Sequence, residues 1–334
     1  MILLVSHSDD PQGDAVAREL SRFGSSYERI APSALSAEAL FSIDPGREAF
    51  AAGKLFASHR SRADEAASIG SVPWTAIYWR RPLPVEDRLT VTFPSSEELA
   101  KAEAYHAFRL AVESLPDSLF PLGHPAVMER ASNKLLQLRL AREQGFSVPD
   151  TLVGNDPERL GSFLGSHEHV VVKPIHMHSV YRKDDRAHLD QALWCRGVDP
   201  EALRKRLRPD RPAQLMLQQR IVKKEDWRIT MLPHRAICCR IDTSSLSGEQ
   251  PDWRKSPRKF AHEIIELPDE IEGRLRRYLA AMGLKAGYFD FAVDEAGTPW
   301  FLEVNTNAEW LWIEELTGVP IAAEVARCLR GETG

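Results

Sequence analysis

The sequence predicts an α/β (α+β) chain made of more than one folding unit. Strand-like runs alternate with helix-period segments over the first half of the chain. Its 334 residues exceed the roughly 100–200 that one ordinary domain organises, so two or three units are expected. Near the C-terminus, two alternating aromatic-rich runs at 288–293 and 299–305 flank a Gly297-containing link and read as a hairpin. The expected boundaries are 1–124 for an N-terminal α/β unit, 125–215 for a central unit, and 216–334 for a C-terminal unit.

Composition narrows the class. Hydrophobic residues make up 43% and charged residues 27%, as in globular proteins in water. A net charge of -5 argues against wholesale electrostatic binding to nucleic acid or an anionic membrane. The opening run Met1-Ile2-Leu3-Leu4-Val5 carries no basic n-region or small-residue cleavage site, and no apolar run reaches the roughly 18–20 residues of a membrane span. Cys195, Cys238, Cys239 and Cys328 lack zinc-type spacing and a disulfide framework, so they read as reduced thiols of a cytoplasmic protein.

The elements follow in order. After the opening strand, Val16, Leu20 and Phe23 recur at helical spacing, and Gly24 ends that helix. The run Trp74-Thr75-Ala76-Ile77-Tyr78-Trp79 is β-branched and aromatic, a buried strand stopped by Arg80-Arg81-Pro82. Ser95 and Glu98 have capping-box spacing at the start of another helix. The second unit begins near Pro125; Ser132-Asn133 precedes a helix carrying Leu135, Leu138 and Ala141 on one side and closing at Gly145. A strand at 151–153, a short helix at 157–160 and a buried strand ending in Lys173-Pro174 come next. Residues 176–213 are polar and poorly periodic, the composition of a lid or of a plain surface insertion. The last third holds a strand at 214–218, two hairpin-like pairs, and two helices closed by Gly283 and Gly331.

The hairpin carries the chemistry. If Val293 pairs with Trp300, Asp290 lies opposite Glu303, with Asn305 diagonal on the same face. Two carboxylates directly opposite repel, which an ordinary sheet avoids. A divalent ion removes the conflict, and two carboxylates with an amide oxygen are hard ligands suited to Mg²⁺. A solvated acidic sheet face is the alternative. Phe289, Phe291, Leu302 and Val304 occupy the other face and anchor the pair to a core.

Two lysines stand out. Lys134 sits in the first turn of its helix and Lys173 ends a buried strand; a lone lysine is otherwise a snorkelling surface residue. Arg228 and Arg240 lie in neighbouring strand-like runs and suit phosphate binding, provided the pairing register puts them on one face. No P-loop, G-x-G-x-x-G or G-x-S-x-G pattern occurs, and His176-Met177-His178 lacks a third metal partner.

Together these pieces resemble the ATP-grasp superfamily. Lys134 matches its first phosphate lysine, Val172-Lys173-Pro174 its second, and Phe301-Leu302-Glu303-Val304-Asn305 its magnesium motif. Gln218-Gln219-Arg220-Ile221 resembles the hinge that carries adenine through main-chain groups near Gln219 and Ile221, with Glu225 or Asp226 near the ribose. Asp226-Trp227-Arg228 resembles the D-x-R after the hinge in the ribosomal-protein glutamate ligase branch. Within the superfamily, the sequence is most similar to the graspetide synthetases, the microviridin-type peptide ester and amide ligases. Trp79-Arg80-Arg81-Pro82, Asn133-Lys134-Leu135-Leu136-Gln137-Leu138, Asp252-Trp253-Arg254 and Trp310-Leu311-Trp312-Ile313-Glu314 with Thr317-Gly318 carry that likeness. Three features depart from it. The usual Asn-Pro-Asn-Gly-Gln reads Asn305-Thr306-Asn307-Ala308-Glu309, Gln219 stands where an acid is common, and no glycine-rich loop follows Lys173.

The resemblance implies an ATP-grasp fold with an N-terminal pre-ATP-grasp unit, a central lid-bearing unit and a C-terminal catalytic unit. It implies ATP held by Lys134, Lys173 and Arg228, with one or two Mg²⁺ on Asp290, Glu303 and Asn305. A substrate carboxylate becomes an acyl phosphate, which a hydroxyl or amine then attacks; Arg240 and Arg254 are candidates for holding the carboxylate or the acyl phosphate. In graspetide synthetases the substrate is a precursor peptide with leader and core, and the product a macrolactone or macrolactam. A leader contact within 176–265 and a homodimer are further implications. A ligase adding amino acids to a protein tail or small molecule, and a non-catalytic ATP-binding module, are the alternative readings.

Overall fold

A computed structural model of the chain describes residues 1–32, 40–41, 57–59, 67–69, 74–82, 96–175, 195–208, 210, 214–245 and 260–332. Strand β1 (Ile2–Val5) is buried throughout and leads into helix α1 (Pro11–Arg22), which starts with proline, where the missing N–H costs nothing. Strand β2 (Tyr27–Ile30) returns parallel to β1. Three short strands, β3 (Leu40–Phe41), β4 (Ala57–His59) and β5 (Ala67–Ile69), form a small antiparallel sheet. Strand β6 (Ala76–Trp79) then joins β1 in parallel on its other side, giving the order β2-β1-β6. Helix α2 (Ser96–Glu113) follows; Ser95 lies outside the described residues, so its expected cap does too.

Helices α3 (Pro125–Arg130) and α4 (Lys134–Glu143) open the middle of the chain. Asn133 caps α4 as expected, its side chain accepting from the Leu136 amide at 3.0 Å. The buried face of α4 is Gln137, Leu138, Leu140 and Ala141, whereas Leu135 is 53% exposed and does not share it. Next come β7 (Thr151–Gly154), α5 (Pro157–Ser166) and β8 (Val170–Lys173). Within 176–213, the span read as featureless lid or insertion, the described residues include strand β9 (Arg196–Val198) and helix α6 (Pro200–Arg206). His176 and His178 lie outside the described residues. Strand β10 (Leu215–Gln219) pairs with both β7 and β8, completing an antiparallel sheet of order β7-β10-β8-β9. A boundary at 215/216 therefore falls inside a strand of this sheet.

The C-terminal frame is a five-stranded antiparallel sheet, β13-β12-β11-β14-β15. It comprises β11 (Lys223–Met231), β12 (Ala236–Asp242), β13 (His262–Ile265), β14 (Gly287–Asp294) and β15 (Pro299–Asn305). Among the described residues three helices accompany it rather than the expected two: α7 (Asp269–Met282), α8 (Leu311–Thr317) and α9 (Ile321–Leu329). Gly283 and Gly318 end α7 and α8 in the left-handed conformation, at φ 82° and 75°.

Two apolar layers hold the frame, one on each side of both main sheets. Leu3, Val5, Ile77 and Trp79 share a cluster with Phe289, Phe291, Phe301 and Val304 and with Tyr278 of α7. Ile2, Leu4, Ala76 and Tyr78 share the other with Tyr288, Ile313, Val325 and Leu329. This alternation along β1 and β6 is the period-two signature of a strand buried on both faces. In the first layer the rings of Phe291 and Phe301 meet edge to face at 5.6 Å, and those of Tyr278 and Phe289 at 5.4 Å. Gly287 lets α7 and β15 close on β14, since a Cβ there would lie 3.0 Å from Val304 and 3.1 Å from Leu279.

Candidate functional site

The pairing register builds the site across three strands. Arg228 of β11 lies opposite Asp290 of β14, and Asp290 lies opposite Glu303 of β15. Asn305, two residues on, shares the face of Glu303, and its amide donates to the Glu303 carboxylate at 3.3 Å. The expected opposition of Asp290 and Glu303 holds, but not through the expected pairing. Val293 pairs with Pro299 and Phe291 with Phe301, and a β-bulge then adds one residue, Leu302, before Glu303 meets Asp290. The bulge also corrects the core: Phe301, fully buried, takes the inward position that simple alternation gave to Leu302.

Positive groups surround these carboxylates. Arg228 is ion-paired with Asp290. Lys173, at the end of β8, and Lys134, in the first turn of α4, both act on Glu303. Burial opposes ionisation of Glu303, yet Lys173, Lys134, the Asn305 amide and Arg228 outweigh it and hold its carboxyl below the usual carboxylate range. Burial pushes the Lys134 ammonium below the ordinary lysine range; the charge of Lys173 acts the same way, and Glu303 opposes both. The Lys134 ammonium donates to the Pro174 carbonyl at 2.7 Å, tying α4 to the end of β8.

This donor set fits a hard divalent cation. Among the described residues no group of three His, Cys, Asp or Glu gathers into a cage of its own. Two opposed carboxylates and one amide oxygen instead offer a partial shell, the kind Mg²⁺ completes with water and substrate phosphates. The two lysines and Arg228 supply the charge that such phosphates need.

Other expected site residues divide. Asp226 is buried on the same face as Arg228, one pleat along β11, and pairs with Lys223. Glu225 is on the opposite face, accepting from the Trp227 indole at 3.0 Å. Arg240 is also on that far face: it lies opposite Trp227, while Arg228 lies opposite Cys239. It pairs there with Glu263 and reaches Glu225 at 3.8 Å. The register thus removes Arg240 and Glu225 from the Asp290 face, because neighbouring positions in a strand point to opposite sides. Arg254 lies outside the described residues. Gln218 is buried in β10 and donates to the Thr151 hydroxyl at 2.9 Å. In the hinge, the Gln219 amide bonds the Asp150 carbonyl at 2.8 Å and the Arg220 amide the His169 carbonyl at 2.9 Å, so Ile221 is the first hinge residue beyond these bonds.

Two groups of residues that the sequence reading quoted only as parts of motifs turn out to support the site. Gln137 is buried under β15; its amide donates to the carbonyls of Ala131 at 2.7 Å and Val304 at 2.9 Å, and its oxygen accepts from the Val304 amide at 3.2 Å. It sits one turn after Lys134, and a polar residue on the apolar face of α4 is the signal that could have found it. Arg80 and Arg81, at the end of β6, contact the chain after Asn305.

The arrangement of the sheets is that of the ATP-grasp fold. Over 99% of both chains it is similar to the macrocyclase MdnC of Microcystis aeruginosa MRC, solved with the precursor peptide MdnA, at a TM-score of 0.78 and 23% identity. A Chryseobacterium gregarium RiPP-associated ATP-grasp ligase, solved with ADP and a leader and core peptide, matches at a TM-score of 0.78 and 22% identity, over 100% of this chain and 97% of that one. The ATP-grasp ligase PsnB, with a variant of its minimal precursor, Mg and ADP, matches at 0.72 and 19%, over 100% of this chain and 98% of that one. No family profile and no curated protein sequence matches the chain.

Proposed function

We propose that this chain is an ATP-dependent, ADP-forming carboxylate ligase that crosslinks a ribosomally made precursor peptide. The carrying observation is the Arg228–Asp290–Glu303–Asn305 face, set against Lys134 and Lys173 from the other sheet. The likeness in fold to ligases solved with precursor peptides, ADP and Mg supports the substrate class.

In this reading Lys134, Lys173 and Arg228 hold the nucleotide phosphates, the hinge of Gln218, Gln219 and Ile221 faces adenine, and Asp226 serves the ribose side. Asp290, Glu303 and Asn305 would hold one or two Mg²⁺, which would supply charge neutralisation at the phosphates. The γ-phosphoryl group passes to an Asp or Glu side chain of the peptide, giving an acyl phosphate. A Ser or Thr hydroxyl, or a Lys amine, then attacks the acyl carbon and phosphate leaves, forming a macrolactone or macrolactam. No general base is needed for the first step, since the carboxylate is already a nucleophile; positioning and electrostatics carry it. Three units, the first ending near 124 and the second and third parting after β10 rather than at 215/216, a homodimer and a cytoplasmic location complete the reading. Among the described residues no helix is long and apolar enough to cross a membrane.

The test uses a short peptide with Thr/Ser and Asp/Glu clusters encoded beside the gene, incubated with the protein, ATP and Mg²⁺. Mass spectrometry should find one water lost per bond formed, and Glu303→Gln should abolish that loss with the fold intact. Phosphate release without dehydration of the peptide would sink the macrocyclase reading. Normal turnover by Glu303→Gln would sink the metal assignment.

A further inference from the structure

The chain after Asn305 is gripped from the far end of the sequence. The Arg80 guanidinium donates to the Ala308 carbonyl at 2.9 Å, across 228 positions. That of Arg81 donates to the Asn307 carbonyl at 2.9 Å and pairs with the Glu309 carboxylate. Neither arginine is loosely held. Arg80 is 1% exposed and bonded to the equally buried Asp10 at 3.0 Å, beside the Tyr78 and Tyr288 hydroxyls. Tyr288 lies opposite Asn305 in the β14–β15 register. Arg81 has φ 38°, a left-handed conformation unusual outside glycine, and its carbonyl is fixed by the His7 amide at 3.1 Å. Backbone strain of this kind persists where surrounding contacts over-determine it, and it clusters at functional sites.

The local sequence says what the grip replaces. Residues 306–309 read Thr-Asn-Ala-Glu, without the proline that would stiffen the segment. Glu309 supplies an anion for Arg81, and its carbonyl accepts from the Trp312 indole at 3.1 Å. Resting on the ligase reading above, we infer that Arg80 and Arg81 are positioning residues that set the metal-ligand loop from the N-terminal sheet. They fix the carbonyls of 307 and 308 and thereby the Asn305 amide, acting on the site through the backbone.

Binding of Mn²⁺ to the ADP-loaded full chain, read by the electron paramagnetic resonance of unbound Mn²⁺, tests this beside metal-free ADP binding by calorimetry. Arg81 is the variant site of choice, because its side chain is 24% exposed and its loss leaves the buried Asp10–Arg80 pair intact. Arg81→Ala should weaken Mn²⁺ binding about 10-fold, the effect of losing an outer-shell partner, and leave metal-free ADP binding unchanged. Arg81→Lys, with one ammonium for two acceptors, should fall between Arg81→Ala and wild type. Glu309→Gln should add nothing to Arg81→Ala in the double variant. Wild-type Mn²⁺ affinity in Arg81→Ala overturns the inference, and so does an equal loss of metal-free ADP binding, which marks a merely structural role. If the wild-type chain takes up no Mn²⁺ with ADP, the ligase reading falls and the inference with it.

Discussion

Gln137→Leu removes a side chain with no catalytic chemistry, yet it should disturb both stability and the Asp290–Glu303 face. Gln137 is 4% exposed and makes three hydrogen bonds, two of them to the main chain of Val304, the residue between Glu303 and Asn305. Leucine nearly matches its volume, so the loss is polar rather than a cavity. Two carbonyls and one amide would lose their partner; at about 1 kcal/mol net per hydrogen bond, the cost is about 3 kcal/mol. Gln137→Glu would be worse at the carbonyls, because an ionised carboxylate only accepts, though it could still serve the Val304 amide. Denaturant unfolding of wild type, Gln137→Leu and Gln137→Glu measures the stability effect, and Mn²⁺ binding in the presence of ADP measures the effect on the site. A loss under about 1 kcal/mol with unchanged Mn²⁺ affinity would refute the reasoning, since the bonds to β15 would then contribute nothing net.

Arg228 and Arg240 should separate cleanly. Arg228→Ala takes the ion-pair partner from the buried Asp290, which should cost about 2–3 kcal/mol of stability and abolish turnover. Arg240→Ala removes a 40%-exposed partner of Glu263 and should cost about 1 kcal/mol or less with kcat unchanged, as urea melts and steady-state ADP release will show. The pH dependence has a definite sign. Because the folded Glu303 carboxyl is depressed, its stabilisation is complete above the unfolded-state value and is lost as pH falls through the folded one, so Glu303→Gln should flatten the acid limb of the stability curve. The Lys134 ammonium is also depressed, so its burial penalty is relieved as pH rises from its folded value to its unfolded one. Melts of Lys134→Met in the alkaline range should lack that gain.

What the sequence disclosed followed from local pattern. The opposed carboxylates were visible because strand alternation puts Asp290, Glu303 and Asn305 on one face, and because like charges directly opposite are rare without a reason. Lys173 was visible because three valines place it at the edge of a core. The bulge at Leu302 was not visible, since Phe301 and Leu302 are both apolar and either satisfies the inward position. Leu135 misled because its spacing fits the buried stripe, while the face of α4 under β15 is occupied by Gln137 instead.

Arg240 and the arginine pair of β6 mark the limit of such reading in opposite ways. The side of the sheet that Arg240 faces depends on one unit of register between β11 and β12, which the two-residue turn Pro233-His234 sets, with Leu232 and Arg235 bonded across it; a one-residue slip would have placed it beside Arg228. Arg80 and Arg81 were legible as a strand end, but their partners lie more than two hundred positions away, and no periodicity links them. Pairing takes Arg240 off the Asp290 face in the first case and holds the segment beyond Asn305 in the second. A sheet supplies ligands in register, but the loop leaving its last strand has no ladder to hold it. The site therefore draws its rigidity from elsewhere: Gln137 holds β15 from beneath, and the β6 arginines hold the segment beyond Asn305. On the inference above, the position of Asn305 depends on how the N-terminal sheet docks. A substitution such as Asp10→Asn, which weakens the anchor of Arg80 without approaching the carboxylates, should lower Mn²⁺ affinity in the same direction as Arg81→Ala.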